Sequence, residues 1–177
     1  VYLGKAVQTV NPPNASVGAS QLVDASITSG KLASGVLPDN TPTFLAYKSS
    51  DQTISSGSDT KITFDTELFD TDNVFSSSTF TVPSGKNGKY FIYSQVQQDT
   101  GSGATLIISV FVNGSEIFAK RTTSDAATRK SPDVSVVVDL SVSDTVEIYM
   151  YQNSGSSRTI DSAAKRTHFG GYKLIGA

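Results

Sequence analysis

The stretch FDTELFDTDNVFSSSTFTVPSGKNGKYFIYSQV, residues 64–96, decides the fold. It is built from short aromatic and aliphatic runs separated by Ser, Gly, Asn and Asp. Runs of that length bounded by turn-forming residues read as β-strands. Here they fall at 73–75, 78–82 and 88–97, with Ser84-Gly85-Lys86-Asn87-Gly88 as the break before the last.

The same grammar continues in both directions. Strands are expected at 43–48, 60–64, 104–112, 115–121, 133–140, 144–151 and 166–175. Breaks fall at Ser55-Ser56-Gly57-Ser58, Thr100-Gly101-Ser102-Gly103 and Asn153-Ser154-Gly155. Asn113-Gly114 lies between LIISVFV and SEIFAK and predicts a two-residue hairpin, because both residues tolerate positive φ. Leu106, Ile108, Val110 and Val112 alternate with Ile107, Ser109 and Phe111, and Val134, Val136, Val138 and Leu140 with Ser135, Val137 and Asp139. No stretch of a dozen residues carries a helical stripe. The chain from 43 to 177 is therefore expected to be an all-β antiparallel jelly-roll sandwich of ten strands.

Four pieces now stand in register. Phe80, Val82, Pro83, Gly88 and Tyr90 spell Phe-x-Val-Pro followed by Gly-x-Tyr. VFVNGSEIF (110–118) is a hairpin, and Leu140, Asp144 and Val146 form Leu-x-x-x-Asp-x-Val. HFGGYKLIGA (168–177) closes the chain. Together they resemble the globular head of the complement subcomponent-one-q type, in the tumour-necrosis-factor superfamily. The resemblance implies a homotrimer whose inner sheet packs aromatics around a threefold axis. Tyr90, Ile92, Phe169 and Tyr172 are then candidates for core or trimer contact. The chain departs from the family's pattern at Gly170, where Ser is usual, and in the longer SGKNG connection.

Residues 1–42 read differently, as a shaft or linker. The first 41 carry four charges and one aromatic, Tyr2. Asn11-Pro12-Pro13-Asn14 is a rigid break, since Pro fixes φ and lacks a donor. Residues 16–40 then divide into fives, with Val17, Leu22, Ile27, Leu32 and Leu37 second in each. A period of five fits neither helix nor strand. One apolar residue in five cannot bury itself in a single chain, but copies around a common axis can bury the row. A flexible linker with accidental periodicity, or single helical turns capped by Ser20 and Ser29, are the alternatives. The phrase SVGASQLVDASITSGKLASGVL resembles shaft segments of bacteriophage tail fibres. A trimeric head on such a shaft implies the receptor-binding tip of a fibre on a virion, joined to upstream fibre proteins.

Composition limits the chemistry. The 177 residues hold 46 Ser and Thr, 14 Lys and Arg, 16 Asp and Glu, one His and no Cys, for a net charge of −2. That excludes disulfides, thiol nucleophiles and sites needing two His. It also argues against a nucleic-acid partner. Sixteen aromatics and 37% hydrophobic residues suffice for a core, and no apolar run is long enough for insertion into a membrane as a helix. Val at position 1 implies a fragment or a processed product.

No enzyme is expected. His168 is more simply a strand residue than a catalytic base, and no G-x-S-x-G or phosphate-loop pattern is present. Asp70-Thr71-Asp72 starts like a calcium loop, but Val74 and the missing Gly and Glu break the pattern, so no cofactor is expected. The family resemblance still allows a structural calcium ion near the head's apex. Asn14-Ala15-Ser16 and Asn113-Gly114-Ser115 match the glycosylation pattern, the second being explained as a turn.

Binding is expected in loops at one end of the head, 98–103, 122–132 and 152–165. Arg121, Asp125, Arg129, Arg158, Asp161 and Arg166 are the receptor-contact candidates, suited to a glycan or an outer-membrane protein. Tyr149 and Tyr151 alternate on one strand and offer an aromatic face for sugar stacking. The expected function is noncatalytic host attachment. A structural fibre, neck or decoration protein is the alternative, and a capsule-degrading enzyme a more remote one.

Overall fold

The computed structural model describes residues 22, 27–28, 31–32, 40–99, 103–123 and 129–175. The chain divides into two units, Val1–Pro38 and Asp39–Ala177. In the first, Leu22 and Ile27 are exposed, Leu32 is half-buried, and the Lys31 amide donates to the Thr28 carbonyl at 2.9 Å. Val17 and Leu37 lie outside the described residues.

In the second unit the period-two patterns become strands. They are β1 (Thr43–Tyr47), β2 (Gln52–Ile54), β3 (Thr60–Lys61), β4 (Thr66–Asp70), β5 (Phe75–Ser76), β6 (Thr79–Thr81) and β7 (Gly88–Gln95). Then follow β8 (Thr105–Val112), β9 (Ser115–Thr123), β10 (Asp133–Leu140), β11 (Thr145–Gln152), β12 (Arg158–Ile160) and β13 (His168–Lys173). A single turn of 3-10 helix, Ala163–Lys165, precedes β13.

The named pairings are all antiparallel and make two main sheets. The five-stranded sheet has the order β10–β7–β13–β1–β4. The six-stranded one has β5–β6–β11–β8–β9, with β3 also on β11, and β12 pairs with β2 in a small ribbon. Connections that jump between sheets are the mark of a jelly roll.

The expected count of ten strands is corrected to thirteen among the described residues. β2, β4 and β12 were not anticipated. β2 and β12 are three residues each and pair with one another, and Ile160 of β12 also bridges to Gln98. β4 lies against a register shift between Leu45 and Ala46, and such a bulge breaks the alternation a reader looks for. The run at 73–75 shifts to Phe75–Ser76, because Asp72 and Asn73 take positive φ in the turn before it.

The core lies between the sheets. Phe44, Tyr90, Ile92 and Phe169 from one face meet Phe80, Leu106, Ile108, Ile148 and Met150 from the other. Phe44 stacks on Phe75 and Phe80 at 5.1 and 4.9 Å and receives the edge of Phe169 at 5.0 Å. Offset and edge-on pairs of this kind add about 1 kcal/mol beyond simple burial. Tyr90 keeps its ring in the core and donates its hydroxyl to the Lys86 carbonyl. That bond ties the SGKNG connection to the start of β7.

Among the described residues one cation is buried. Lys48 is 1% exposed, and its Nζ donates to Gln52 Oε1 and to the carbonyl and hydroxyl of Thr63 at 3.2, 3.0 and 2.6 Å. Burial pushes its pKa down, and the Asp65 and Asp51 carboxylates pull it back up in part. Three acceptors use all three ammonium donors, so the lysine acts as a pin between β1, β2 and the segment after β3.

Candidate functional site

Strand alternation sorts the candidate contact residues onto two sides. In β7, Tyr90, Ile92 and Ser94 are buried while Phe91, Tyr93 and Gln95 are half-buried. Tyr90, Ile92 and Phe169, each 0% exposed, therefore belong to the protomer core. Tyr172 points the other way, beside Phe91 at 5.5 Å between ring centroids.

The register extends the outer face into rows across the five-stranded sheet. One row is Val137, Phe91, Tyr172 and Thr43. The next is Ser135, Tyr93, Gly170, Leu45 and Phe69, and the third Asp133, Gln95, His168, Tyr47 and Thr66. Phe91 and Tyr93 lie 5.9 Å apart, and Lys165 sits over the Tyr47 ring at 4.8 Å. Val137 and Phe69 remain 48% and 46% exposed. Aromatics and aliphatics thus fill most of the first two rows, a surface of the type that marks an interaction site.

Gly170 explains itself here. A Cβ added to it would lie 2.5 Å from Tyr93 Oη and 3.0 Å from the Phe44 carbonyl oxygen. The Tyr93 ring lies across the glycine and fills the room a serine side chain would need. Burial, with Tyr172 adding to it, pushes the Tyr93 hydroxyl pKa up. The signal for this face was present in the sequence as the alternates of Tyr90 and Ile92.

At the end of the sandwich, several expected receptor contacts are engaged within the chain. Arg129 pairs with Asp161 at 2.8 Å, and Asp161 also accepts the Ala163 amide at 2.6 Å. Arg166 donates to Gln97 Oε1 at 3.2 Å, and Gln97 donates to Ser131 Oγ at 3.0 Å. Asp161 is only 7% exposed, so it serves the loop's own architecture more than an incoming ligand. Arg158 Nε donates to Ser154 Oγ at 2.9 Å on β12. The structure therefore brings Arg129, Asp161 and Arg166 together around Gln97. It sets Arg121 apart, exposed on β9, and Asp125 lies outside the described residues.

The acidic turn is a backbone clamp. Asp70 accepts the Val74 and Phe75 amides at 3.0 and 2.9 Å, one on each carboxylate oxygen. Among the described residues no group of three metal-ligating side chains gathers. His168 Nδ1 lies 3.1 Å from the Lys165 carbonyl, and its ring faces Tyr93.

The outer face of the six-stranded sheet is mixed in character. Phe111 stacks on Tyr149 at 4.2 Å. Glu147 accepts Lys61 Nζ at 2.7 Å and Thr79 Oγ1 at 3.0 Å. Burial pushes the Glu147 carboxyl up, but these bonds outweigh it and hold the pKa below the ordinary glutamate value.

Two antiparallel sheets joined in this order, with aromatic faces inside and out, define a jelly-roll domain of the kind that binds partners or builds assemblies. The C1q domain model matches residues 43–174, and the chain belongs to that family. The globular domain of zebrafish complement 1qA matches with a TM-score of 0.55 and 14% identity, over 75% of this chain and 97% of its own. Murine APRIL at pH 5.0 matches with a TM-score of 0.56 and 15% identity, over 75% and 98%. The pH 8.0 structure of murine APRIL gives 0.56 and 14% over the same shares. No curated protein matches the chain. C1q- and tumour-necrosis-factor-like domains are typically binding or structural rather than enzymatic, and they commonly form homotrimers.

Proposed function

We propose that the chain is the homotrimeric distal tip of a phage tail fibre, which holds a host cell-surface receptor without catalysis. The observation that carries the oligomer is the outer face of the five-stranded sheet. Phe91, Tyr93, Tyr172, Leu45 and Phe69 make it too apolar to be a stable solvent-facing surface. Packing three copies through that sheet removes these rings from water, as the family's habit of trimerising suggests. The fibre context rests on the pentad pattern of residues 16–40 and its likeness to fibre shafts. A cysteine-free chain also suits assembly in a reducing cytoplasm. Three equal sites on one tip raise avidity without any new contact.

Light scattering is expected to give three times 18.7 kDa. A fluorescently labelled trimer is expected to mark susceptible cells and to spare receptor-deletion mutants. Absence of labelling at micromolar concentration on every susceptible strain would refute attachment and leave a structural fibre part.

A further inference from the structure

Two Asn-Gly pairs lie among the described residues, Asn87-Gly88 and Asn113-Gly114. In such a pair the asparagine side chain is open to attack by the backbone nitrogen that follows it, because glycine has no side chain to cover that nitrogen. At Gly88 the backbone itself calls for glycine, since φ is 135°, a region that other residues rarely adopt. Gly88 is also the first residue of β7, opposite Leu140 at the end of the ladder, where pairing opens most readily.

The two side-chain amides are held differently. Asn113 Nδ2 donates to Asp144 Oδ1 at 2.8 Å, and its Oδ1 accepts the Thr145 amide at 2.9 Å. Its Cγ cannot turn to a new partner without breaking both bonds. Asn87 is exposed, and no hydrogen bond among the described residues holds its side chain. The other described asparagines are poorer targets. Asn40 and Asn73 precede Thr41 and Val74, whose branched side chains crowd the attacking nitrogen. Asn153 Oδ1 accepts the Thr105 amide at 2.7 Å.

We infer that Asn87 is a self-modification site, which passes through a cyclic imide to aspartate or isoaspartate with water as the co-reactant. The Gly88 nitrogen gives its proton to solvent base and bonds to Asn87 Cγ. The Cγ–Nδ2 bond breaks and that nitrogen leaves as ammonia. Water then adds to one of the two imide carbonyls. Opening at Cγ leaves aspartate, and opening at the main-chain carbonyl carbon leaves isoaspartate, with the backbone running through Cγ. Nothing is oxidised or reduced. A neutral amide is thereby replaced by a carboxylate beside Lys86, whose carbonyl accepts the Tyr90 hydroxyl and whose Nζ donates to Thr41 Oγ1 at 2.8 Å. Isoaspartate also lengthens the main chain by one carbon between that anchored carbonyl and β7. The chain thus carries a mark of its age at the joint between the SGKNG connection and the inner strand.

The test incubates the full chain in mildly alkaline buffer made with oxygen-18 water. Peptide mapping by mass spectrometry, with fragmentation that separates aspartate from isoaspartate, follows each asparagine. Asn87 is expected to gain a carboxylate carrying one heavy oxygen about tenfold faster than Asn113, the factor that two lost hydrogen bonds supply. Asp144→Ala is expected to raise the Asn113 rate toward that of Asn87. Asn87→Gln is expected to stay unmodified at that position, because its longer side chain closes a six-membered ring far less readily. The same chain unfolded in urea is expected to convert both asparagines at similar rates. An Asn87 that stays intact in the folded chain, whatever it does in urea, overturns the inference. Equal rates at Asn87 and Asn113 in the folded wild type overturn it as well, since the clamp on Asn113 would then not distinguish the two.

Discussion

At the scale of single residues, the buried polar groups are the ones with measurable signatures. Tyr90 is the clearest. Its ring is fully buried, and burial, with the Asp72 charge adding to it, pushes its hydroxyl up to about 12 from the ordinary tyrosine value near 10. The folded chain then binds a proton that the unfolded chain has already released. The stability this supplies is complete below pH 10 and is lost as the pH climbs through about 12. A shift of that size corresponds to about 2–3 kcal/mol over the window. Tyr90→Phe is expected to remove this part of the alkaline slope. At pH 7 it costs about 1 kcal/mol, the net value of the hydroxyl bond to the Lys86 carbonyl. Urea unfolding of both proteins between pH 8 and 12 measures the difference, and parallel curves would contradict the burial of that hydroxyl.

At the scale of elements, the hairpin β8–β9 shows how far a short motif can be read. Asn113 and Gly114 take φ of 51° and 77°, as a two-residue turn with both centres left-handed requires. Asn113 does more than turn the chain. Its amide nitrogen donates to Asp144 at 2.8 Å, and its oxygen accepts the Thr145 amide at 2.9 Å. The side chain thus links the hairpin to the start of β11, a tie no local pattern announces. Asn113→Ala is expected to cost about 1–2 kcal/mol, from two lost hydrogen bonds and a positive φ that alanine tolerates poorly. Asn113→Gly keeps the conformation and loses only the bonds, so it falls between alanine and wild type. Chemical denaturation of the two variants gives the order, and an equal cost for both would remove the conformational part of the account.

The same contrast governs what else could be read from the chain. Long strands with strict alternation, such as β10 and β11, were legible because nearly all their inward residues are apolar, Gln152 at the end of β11 being the exception. β2, β4 and β12 were not, because their pairing depends on distant partners: Gln52–Ile54 on Arg158–Ile160, and Thr66–Asp70 on a bulged β1. The candidate contacts divide on similar lines. Alternation separates Tyr90 and Ile92 from Phe91 and Tyr93, but it does not say which set faces the other sheet. The burial of Tyr90 and Ile92 between the sheets settles that. Asp161 looked like a loop carboxylate for a ligand, yet its hydrogen bonds to Ala163 and its ion pair with Arg129 are set by a turn visible only in three dimensions.

At the scale of the whole molecule, the two outer faces have different fates. A stable interface buries about 800 Å² on each partner, and its centre is poor in charge. The rows through Phe91, Tyr93 and Tyr172 hold no charged residue and so meet the second condition, while the opposite face, with Glu147, Glu116, Lys61 and Arg121, does not. Tyr93 lies near the middle of the apolar rows and leans on a glycine, so a charge placed there has no route to solvent once the faces meet. Tyr93→Glu is expected to dissociate the assembly to the 18.7 kDa monomer and to leave the β circular-dichroism spectrum intact, since the core side of β7 is untouched. Burying an unpaired carboxylate costs several kcal/mol per copy, more than such an interface can spare. Glu147→Lys, on the other sheet, serves as the control and is expected to remain a trimer. If both variants keep the trimeric mass, copies associate through some surface other than the five-stranded sheet.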